Sequence, residues 1–379
     1  MRKLASIQFI KDLQSIPNAD RIEVATILGW QCVVKKGEFK IGDKCVYIEI
    51  DSLLPEDNPA FDFLKNSKGH IERIRTIKLR GQISQGLALP MTVLKEDYAV
   101  GTDVTNVLKI KKWEPDVYNR PRKMKGKASY DVKRFHSKWA NLLLYNKPWT
   151  NLLKRFIFTS KTKRFPTYIT KSDETRVQAI PDVVKCYEGT KCSVTEKLDG
   201  QSITVWFDGK KKFHVASRNL EILDHTNYFW TVVQRLDVEN KLRSYFKDVS
   251  WIALQGELCG PNIQGNKYKF KEKDIYWYNL MFVCLDQQID YGSQEELNDL
   301  CNHTGLKPVP VLKPYVLKND INELVEMSKG DSIFNDVPRE GLVIRPEPPI
   351  YDACGIGSMV GNRVSFKVIN PEFLLKYKL

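Results

Sequence analysis

The stretch Thr195-Glu196-Lys197-Leu198-Asp199-Gly200 limits what this chain can fold into more than any other. A β-rich apolar run, Cys192 to Thr195, leads into it, and a second, Ser202 to Phe207, leaves it at once. If both are strands, Lys197 stands where one ends, Asp199 projects to the same side, and Gly200 lets the chain turn. A lysine so placed points into a space between sheets. Its amine is a poor nucleophile while protonated, with a reference pKa of ~10.4; desolvation, neighbouring cations or a nearby metal free it for attack. A lone Lys-x-Asp-Gly is otherwise an ordinary surface turn, so its meaning rests on the sequence around it.

That sequence supplies more strand ends bearing charge. Val215-Ala216-Ser217-Arg218-Asn219 delivers an arginine and an amide, and Trp251 to Gly260 is an apolar run ending near Glu257. Asp274 to Leu280 is rich in aromatics, including Tyr276 and Tyr278. Arg339-Glu340-Gly341-Leu342-Val343-Ile344 sets a carboxylate at the mouth of a β run, and Arg363 to Asn370 carries a second lysine, Lys367. Upstream of Lys197 lies Ser172-Asp173-Glu174-Thr175-Arg176-Val177-Gln178.

Residues 1–108 read as an all-β module. Short runs at Ala5–Ile10, Arg21–Leu28, Gln31–Lys35, Lys44–Ile50, Glu72–Leu79 and Gly86–Pro90 alternate with turn signals such as Pro17-Asn18-Ala19-Asp20. This spacing predicts a small barrel of the oligonucleotide-binding (OB) type. Residues 109–165 form a basic linker with interleaved aromatics (Trp113, Tyr118, Tyr130, Phe135, Trp139), and "WANLLLYNKPWTNLLKRFIF" reads as short amphipathic helices broken at Pro148. Residues 166–379 alternate strands and helices irregularly, an α+β domain with helices expected at Asn227–Leu242, Ser293–His303 and Ile321–Lys329. Ser293 with Glu296 three residues on is a capping-box start.

Charge locates the partner. Of the net +13, the stretch from Lys109 to Lys171 holds 18 Lys or Arg against Glu114, Asp116 and Asp131, a surplus of +15 by those counts. A basic segment of this kind expects a polyanion, nucleic acid first and an anionic membrane surface second. No apolar run is long enough to span a bilayer. The eight cysteines are scattered without CxxC or Cys/His ligand spacing, which points to reduced thiols in an intracellular protein, cytoplasmic or nuclear, with no structural zinc.

Taken in order, these segments resemble motifs I, Ia, III, IIIa, IV and V of the covalent nucleotidyltransferases, the superfamily of ATP-dependent DNA and RNA ligases and mRNA capping enzymes. "IPNADRIEVATILGWQCVVKKGEFKIGDKCVYIEIDSLLP", "KLRGQISQGLALP" and the "NPEFLLKYK" tail resemble Naegleria-type RNA ligases, in which the OB-like module precedes the transferase domain. The resemblance implies an N-terminal OB-like barrel, the basic linker, and a C-terminal adenylyltransferase domain of ATP-grasp-like antiparallel sheets. It implies an ATP-dependent RNA ligase that works with Mg²⁺ or Mn²⁺ on RNA, as a nicked duplex or an RNA–DNA hybrid; a monomer is the expected state. Alternatives are a capping-type guanylyltransferase, whose OB domain usually follows the transferase, and a non-catalytic RNA-binding protein.

The resemblance also assigns roles. Lys197 attacks the α-phosphate of ATP to form lysyl-AMP, and Lys367 stabilises that phosphate. Asp199, Glu257 and Glu340 hold the metal, Glu257 also meeting the ribose. Arg218 and Arg176 bind phosphate, Asn219 braces Arg218, and Gly200 shapes the nucleotide loop. Tyr278 stacks on adenine, with Tyr276 as the alternative in a different register, and Glu196 reads the adenine edge. Lys35, Lys36, Lys78 and Arg80 are phosphate contacts of the OB-like module. Where many relatives carry Lys-x-Lys in motif V, this chain has Ser365, with Arg363 nearby as a substitute cation.

Overall fold

The computed structural model describes residues 3–113, 161–283, 289–352 and 363–379. Five strands, β1 (Ala5–Ser15), β2 (Ile22–Ile27), β3 (Trp30–Lys35), β4 (Lys44–Ile48) and β5 (Leu87–Pro90), form an antiparallel sheet in the order β3-β2-β1-β4-β5. β1 makes the sheet curl: its first half pairs with β4 and its second with β2, and the register shifts between Ile10 and Asp12. Such an irregularity bends a strand and sharpens its twist. Ile7, Val46, Ile48 and Leu89 pack one core, and Ile10, Ala25, Ile27, Trp30 and Val34 another.

The run at Glu72–Leu79 is a strand only from Thr76, because its partner Gln82–Gln85 closes a hairpin through Arg80 and Gly81, both left-handed (φ 49° and 86°). Two such residues make the tight turn that fits strand twist. Lys35, Lys36, Lys78 and Arg80 are all exposed. Contacts with the OB-like module continue past residue 108: Ile110 is buried in the first core, Lys111–Lys112 pair with Ser52–Leu53, and the Arg73 guanidinium lies 3.6 Å from the Trp113 ring centre. The amphipathic stretch and the aromatics at 118, 130, 135 and 139 lie outside the described residues.

Two further sheets follow. One holds β6 (Thr162–Arg164), β9 (Gln201–Phe207), β10 (Phe213–Ser217), β11 (Leu220–Ile222), β12 (Ile252–Cys259), β13 (Asp274–Val283) and β14 (Ile289–Tyr291), in the order β6-β11-β10-β9-β12-β13-β14. Lys163 thus belongs to this sheet rather than to the linker. The other holds β7 (Thr175–Arg176), β8 (Lys191–Lys197), β15 (Tyr315–Val316), β16 (Gly341–Pro346) and β17 (Phe366–Ile369), in the order β7-β17-β16-β8-β15.

Helices cover the outer faces. Ile203, Val205, Phe207, Leu254, Ile275 and Trp277 of the first sheet bury against α2 (Tyr228–Arg235), α3 (Val238–Tyr245) and α4 (Gln294–Thr304). Val194, Leu342, Ile344, Phe366 and Val368 of the second bury against α1 (Pro181–Cys186) and α5 (Ile321–Ser328). α4 begins with the expected capping box at Ser293. The single helix expected at Asn227–Leu242 is two, broken at Asp237, which is left-handed (φ 53°). α1 and α6 (Pro371–Tyr377) escaped notice, although Asn370 caps α6 and Pro371 opens it, an N-terminal signal legible in the chain.

The OB-like module sits on the second unit. Gly29 N donates to Gln178 O at 3.0 Å, Arg73 Nη2 donates to Lys378 O at 2.6 Å, and Ile50 packs on Phe373 and Leu374 of α6. No helix among the described residues is long and apolar enough to cross a membrane.

Candidate active site

Side chains from both sheets line one cleft of about 930 Å³. Alternation along the strands dictates which. With Val194, Leu342, Ile344, Phe366 and Val368 turned to the core, Lys197, Thr195, Val343, Arg345 and Lys367 face the cleft. From the first sheet come Ser202, Glu257 and Tyr278.

Lys197 is the last residue of β8, paired with Gly341, and three residues carry the chain across to β9. Gly200 is needed here for closeness rather than for an unusual turn: a Cβ would meet Leu258 O at 2.6 Å and Glu257 Cγ at 2.8 Å. Lys197 Nζ donates to Glu340 Oε2 at 2.7 Å, and Gly200 N donates to Glu257 Oε1 at 3.1 Å. Burial alone would lower the pKa of Lys197, but Glu340, Glu257 and Asp199 outweigh it and hold the amine above its usual value. Burial, reinforced by Glu340 and Asp199, pushes Glu257 up to about 8, against the pull of Lys197. Glu340 is raised as well, chiefly by burial.

Asp199 is held by a residue that sequence reasoning missed. Lys267 reaches its carboxylate from the loop after β12, donates to Gln264 O at 2.9 Å, and lies over the rings of Phe373 and Tyr377. No local pattern marks such a lysine. Glu257, Glu340 and Asp199 are hard oxygen donors of the kind Mg²⁺ and Mn²⁺ accept. Among the described residues no three His, Cys, Asp or Glu side chains converge as a ready metal cage. The oxygens of these three cleft carboxylates are of the type a divalent cation accepts.

At the other side of the cleft, Asp173 joins two cations: it accepts from Arg218 Nη2 at 2.6 Å and from Lys367 Nζ at 3.3 Å. Burial lowers Lys367 to about 8; Asp173 opposes this, while Lys197 and Arg176 add to it. The expected brace from Asn219 to Arg218 is not what forms. Asn219 Oδ1 takes Lys171 Nζ at 3.0 Å, and Asp173 holds Arg218 instead. Arg176 lines the cleft while its guanidinium approaches Asp51 (3.8 Å) and the Trp30 ring (5.8 Å) of the OB-like module.

Gln255 pairs with Asn279 and Gly256 with Trp277, so Tyr278 is the extra residue of a bulge; it shares a face of β13 with Tyr276, and of the two only Tyr278 lines the cleft. Its hydroxyl shares hydrogen bonds with Ser172 (2.6 Å) and Ser202 (3.4 Å). Tyr276 packs instead against Phe270 and Phe334, away from the cleft lining. Glu196 is buried, with Oε2 accepting from Ile333 N at 3.1 Å and Oε1 without a hydrogen-bond partner among the described residues. Burial raises its pKa, partly offset by Ser332 and Ile333.

An OB-fold domain model matches residues 4–91, and an RNA ligase model matches residues 190–369. The chain is similar to a solved structure of Naegleria gruberi RNA ligase with pyrophosphate, at 32% identity and TM-score 0.75 over 100% of this chain and 99% of that one. A Glu→Ala variant of that ligase with ATP and manganese gives 32% identity and TM-score 0.77 over 100% of both chains. A Lys→Ala variant with ATP and manganese gives 32% and 0.76 over 99% of each. A comparison with curated sequences gives no match. An OB-fold module ahead of two sheets that enclose a lysine among carboxylates defines a nucleotidyltransferase-type ligase. The chain belongs to the RNA ligase family.

Proposed function

We propose that this RNA ligase, driven by ATP and a divalent metal, joins RNA 3′-OH and 5′-phosphate ends at nicks or breaks in duplex RNA or RNA–DNA. The observation that carries the reading is Lys197 itself, at a strand end in the cleft with Glu340 2.7 Å from its amine. In the first step the Lys197 ammonium gives up a proton to solvent and the free amine attacks the α-phosphorus of ATP: a P–N bond forms, the bond to pyrophosphate breaks, and the second proton lost from nitrogen leaves with pyrophosphate or water. In the second, an oxygen of the RNA 5′-phosphate attacks lysyl-AMP, and Lys197 leaves and regains a proton. In the third, the 3′-OH attacks the capped 5′-phosphate and AMP departs.

Lys367 faces the α-phosphate, with Arg218 and Arg176 on the outer phosphates or the RNA 5′-phosphate and Asn219 beside them. Tyr278 stacks on adenine, and the idle Oε1 of Glu196 accepts from its amino group. Asp199, Glu257 and Glu340 hold the cation, which when bound neutralises the triphosphate and counters the carboxylates that keep Lys197 protonated. The protein is read as a monomer acting in the cytoplasm or nucleus; among the described residues Cys32, Cys45, Cys192, Cys259 and Cys301 are buried free thiols.

The test mixes the full chain with α-labelled ATP or GTP and Mn²⁺, beside Lys197→Ala, and then offers the labelled protein a nicked RNA duplex. Acid-labile label from ATP alone, lost in the variant and chased into sealed product, is the expected result. Label from GTP indicates a capping-type transferase. No label from either, with folded and unadenylylated protein, leaves an RNA-binding protein.

A further inference from the structure

Arg345 has no part in that scheme, yet it stands in the cleft wall and is only 2% exposed. Its Nη2 donates to Glu174 Oε1 at 2.8 Å. Its Nε and Nη1 have no hydrogen-bond partner among the described residues. Buried N–H groups of a cation are costly to leave unmatched, so two of them at a ligand cleft call for an acceptor on the ligand.

The neighbouring strand shows why the cation is here. By the pairing of Ile344 with Phe366, Arg345 stands opposite Ser365, whose hydroxyl also reaches Glu174 at 3.5 Å. Ser365 occupies the place where the family resemblance expects a lysine. Arg363, the substitute expected from the sequence, does not fill the place: it is buried against Asn279 Oδ1 (3.1 Å) and the Tyr291 ring, outside the cleft lining.

The Arg345 guanidinium carbon lies 5.9 Å from the ring centre of Tyr278. We propose that Arg345 is a nucleotide-binding residue that donates a hydrogen bond to a ring nitrogen of the adenine of ATP, with Glu174 fixing the guanidinium. This rests on the reading of the cleft as an ATP site with Tyr278 as its stacking face. Adenine accepts at ring nitrogens N1, N3 and N7, whereas guanine accepts at N3 and N7 but carries an N–H at N1, so the arginine selects adenine only where it meets N1.

The experiment measures equilibrium binding to full-length Lys197→Ala protein, which cannot capture the nucleotide covalently. Titration calorimetry follows ATP and its 1-deaza, 3-deaza and 7-deaza analogues, alone and with Arg345→Met or Arg345→Lys added. One analogue is expected to bind about 10-fold or more weakly than ATP, the loss of one hydrogen bond to a charged donor. Arg345→Met should weaken ATP to that analogue's level and leave that analogue unchanged. Arg345→Lys keeps a charge beside Glu174 but cannot span both partners, so it should abolish the same difference, and it carries the test if Arg345→Met does not fold. ATP binding with no difference among the deaza analogues, or a uniform loss for all four ligands, overturns the assignment while sparing the ATP site. No ATP binding by the Lys197→Ala protein overturns both.

Discussion

At the scale of single residues, two groups in the cleft titrate near neutrality, and each gives a measurable sign. Lys367 is lowered to about 8 by burial, with Asp173 as its counterweight. Below that pH it carries the charge proposed to face the α-phosphate, and above it the charge is lost. The apparent second-order rate of lysyl-AMP formation reports the free enzyme, so its alkaline fall should centre near this value. Lys367→Arg should carry activity to higher pH, since arginine stays charged, and Asp173→Asn should move the fall to lower pH. Identical alkaline limbs in all three proteins would dismiss Lys367 as the group titrating. Glu257, raised to about 8 by burial and then by Glu340 and Asp199, is mostly protonated at pH 7 without metal. Mn²⁺ binding at pH 7 should therefore release a proton, seen as a binding enthalpy that depends on buffer ionisation, and Glu257→Gln should abolish the release. A release unchanged in that variant would assign the proton to another group.

Among the elements, β13 carries the clearest consequence, because it puts Tyr278 in the cleft lining and Tyr276, on the same face, in an aromatic cluster beyond that lining. Tyr278→Ala should weaken ATP binding about 10-fold through the lost stacking face. Tyr278→Phe should bind nearly as well but lose about 1 kcal/mol of stability with the hydroxyl bonds to Ser172 and Ser202. Equal losses of binding in both variants would mean that the hydroxyl, not the ring, holds the nucleotide.

The same strand shows what a sequence can carry. Lys197, Asp199 and Gly200 were legible because strand, turn and strand are local patterns, Glu257 and Lys367 because each stands in a β run, and Glu340 because it directly precedes one. The choice between Tyr276 and Tyr278 was not legible, since both lie on one face of β13 and it is the packing of Phe270 and Phe334 onto Tyr276 that takes it out of the cleft. Asp173 was in view but not singled out, for its role comes from Arg218 and Lys367, far away in the chain. Arg345 and Lys267 gave no signal, one a charge at the end of an apolar strand and the other in an irregular loop. The break at Asp237 was hidden because the flanking residues suit one long helix as well as two.

For the molecule as a whole, the OB-like module is docked where backbone meets backbone, and Gly29 makes that approach tolerable. Its N–H donates to Gln178 O at 3.0 Å, and a Cβ would lie 2.9 Å from Gln178 Cα and 2.6 Å from Ile321 Cδ1. The Ile321 tip can rotate away, but the Gln178 backbone cannot without dragging its neighbours. Those neighbours matter, for Arg176 lies two residues before Gln178 and reaches both the cleft and Asp51, which also holds Arg73 at 3.2 Å. Gly29→Ala should therefore cost about 1–3 kcal/mol, the usual range for overpacking, and turn one thermal unfolding transition into two as docking loosens. Adding Ile321→Ala should not restore it, because the contact that matters is with backbone. Full recovery in the double variant would place the clash on the isoleucine side chain and make the Gln178 contact incidental to docking.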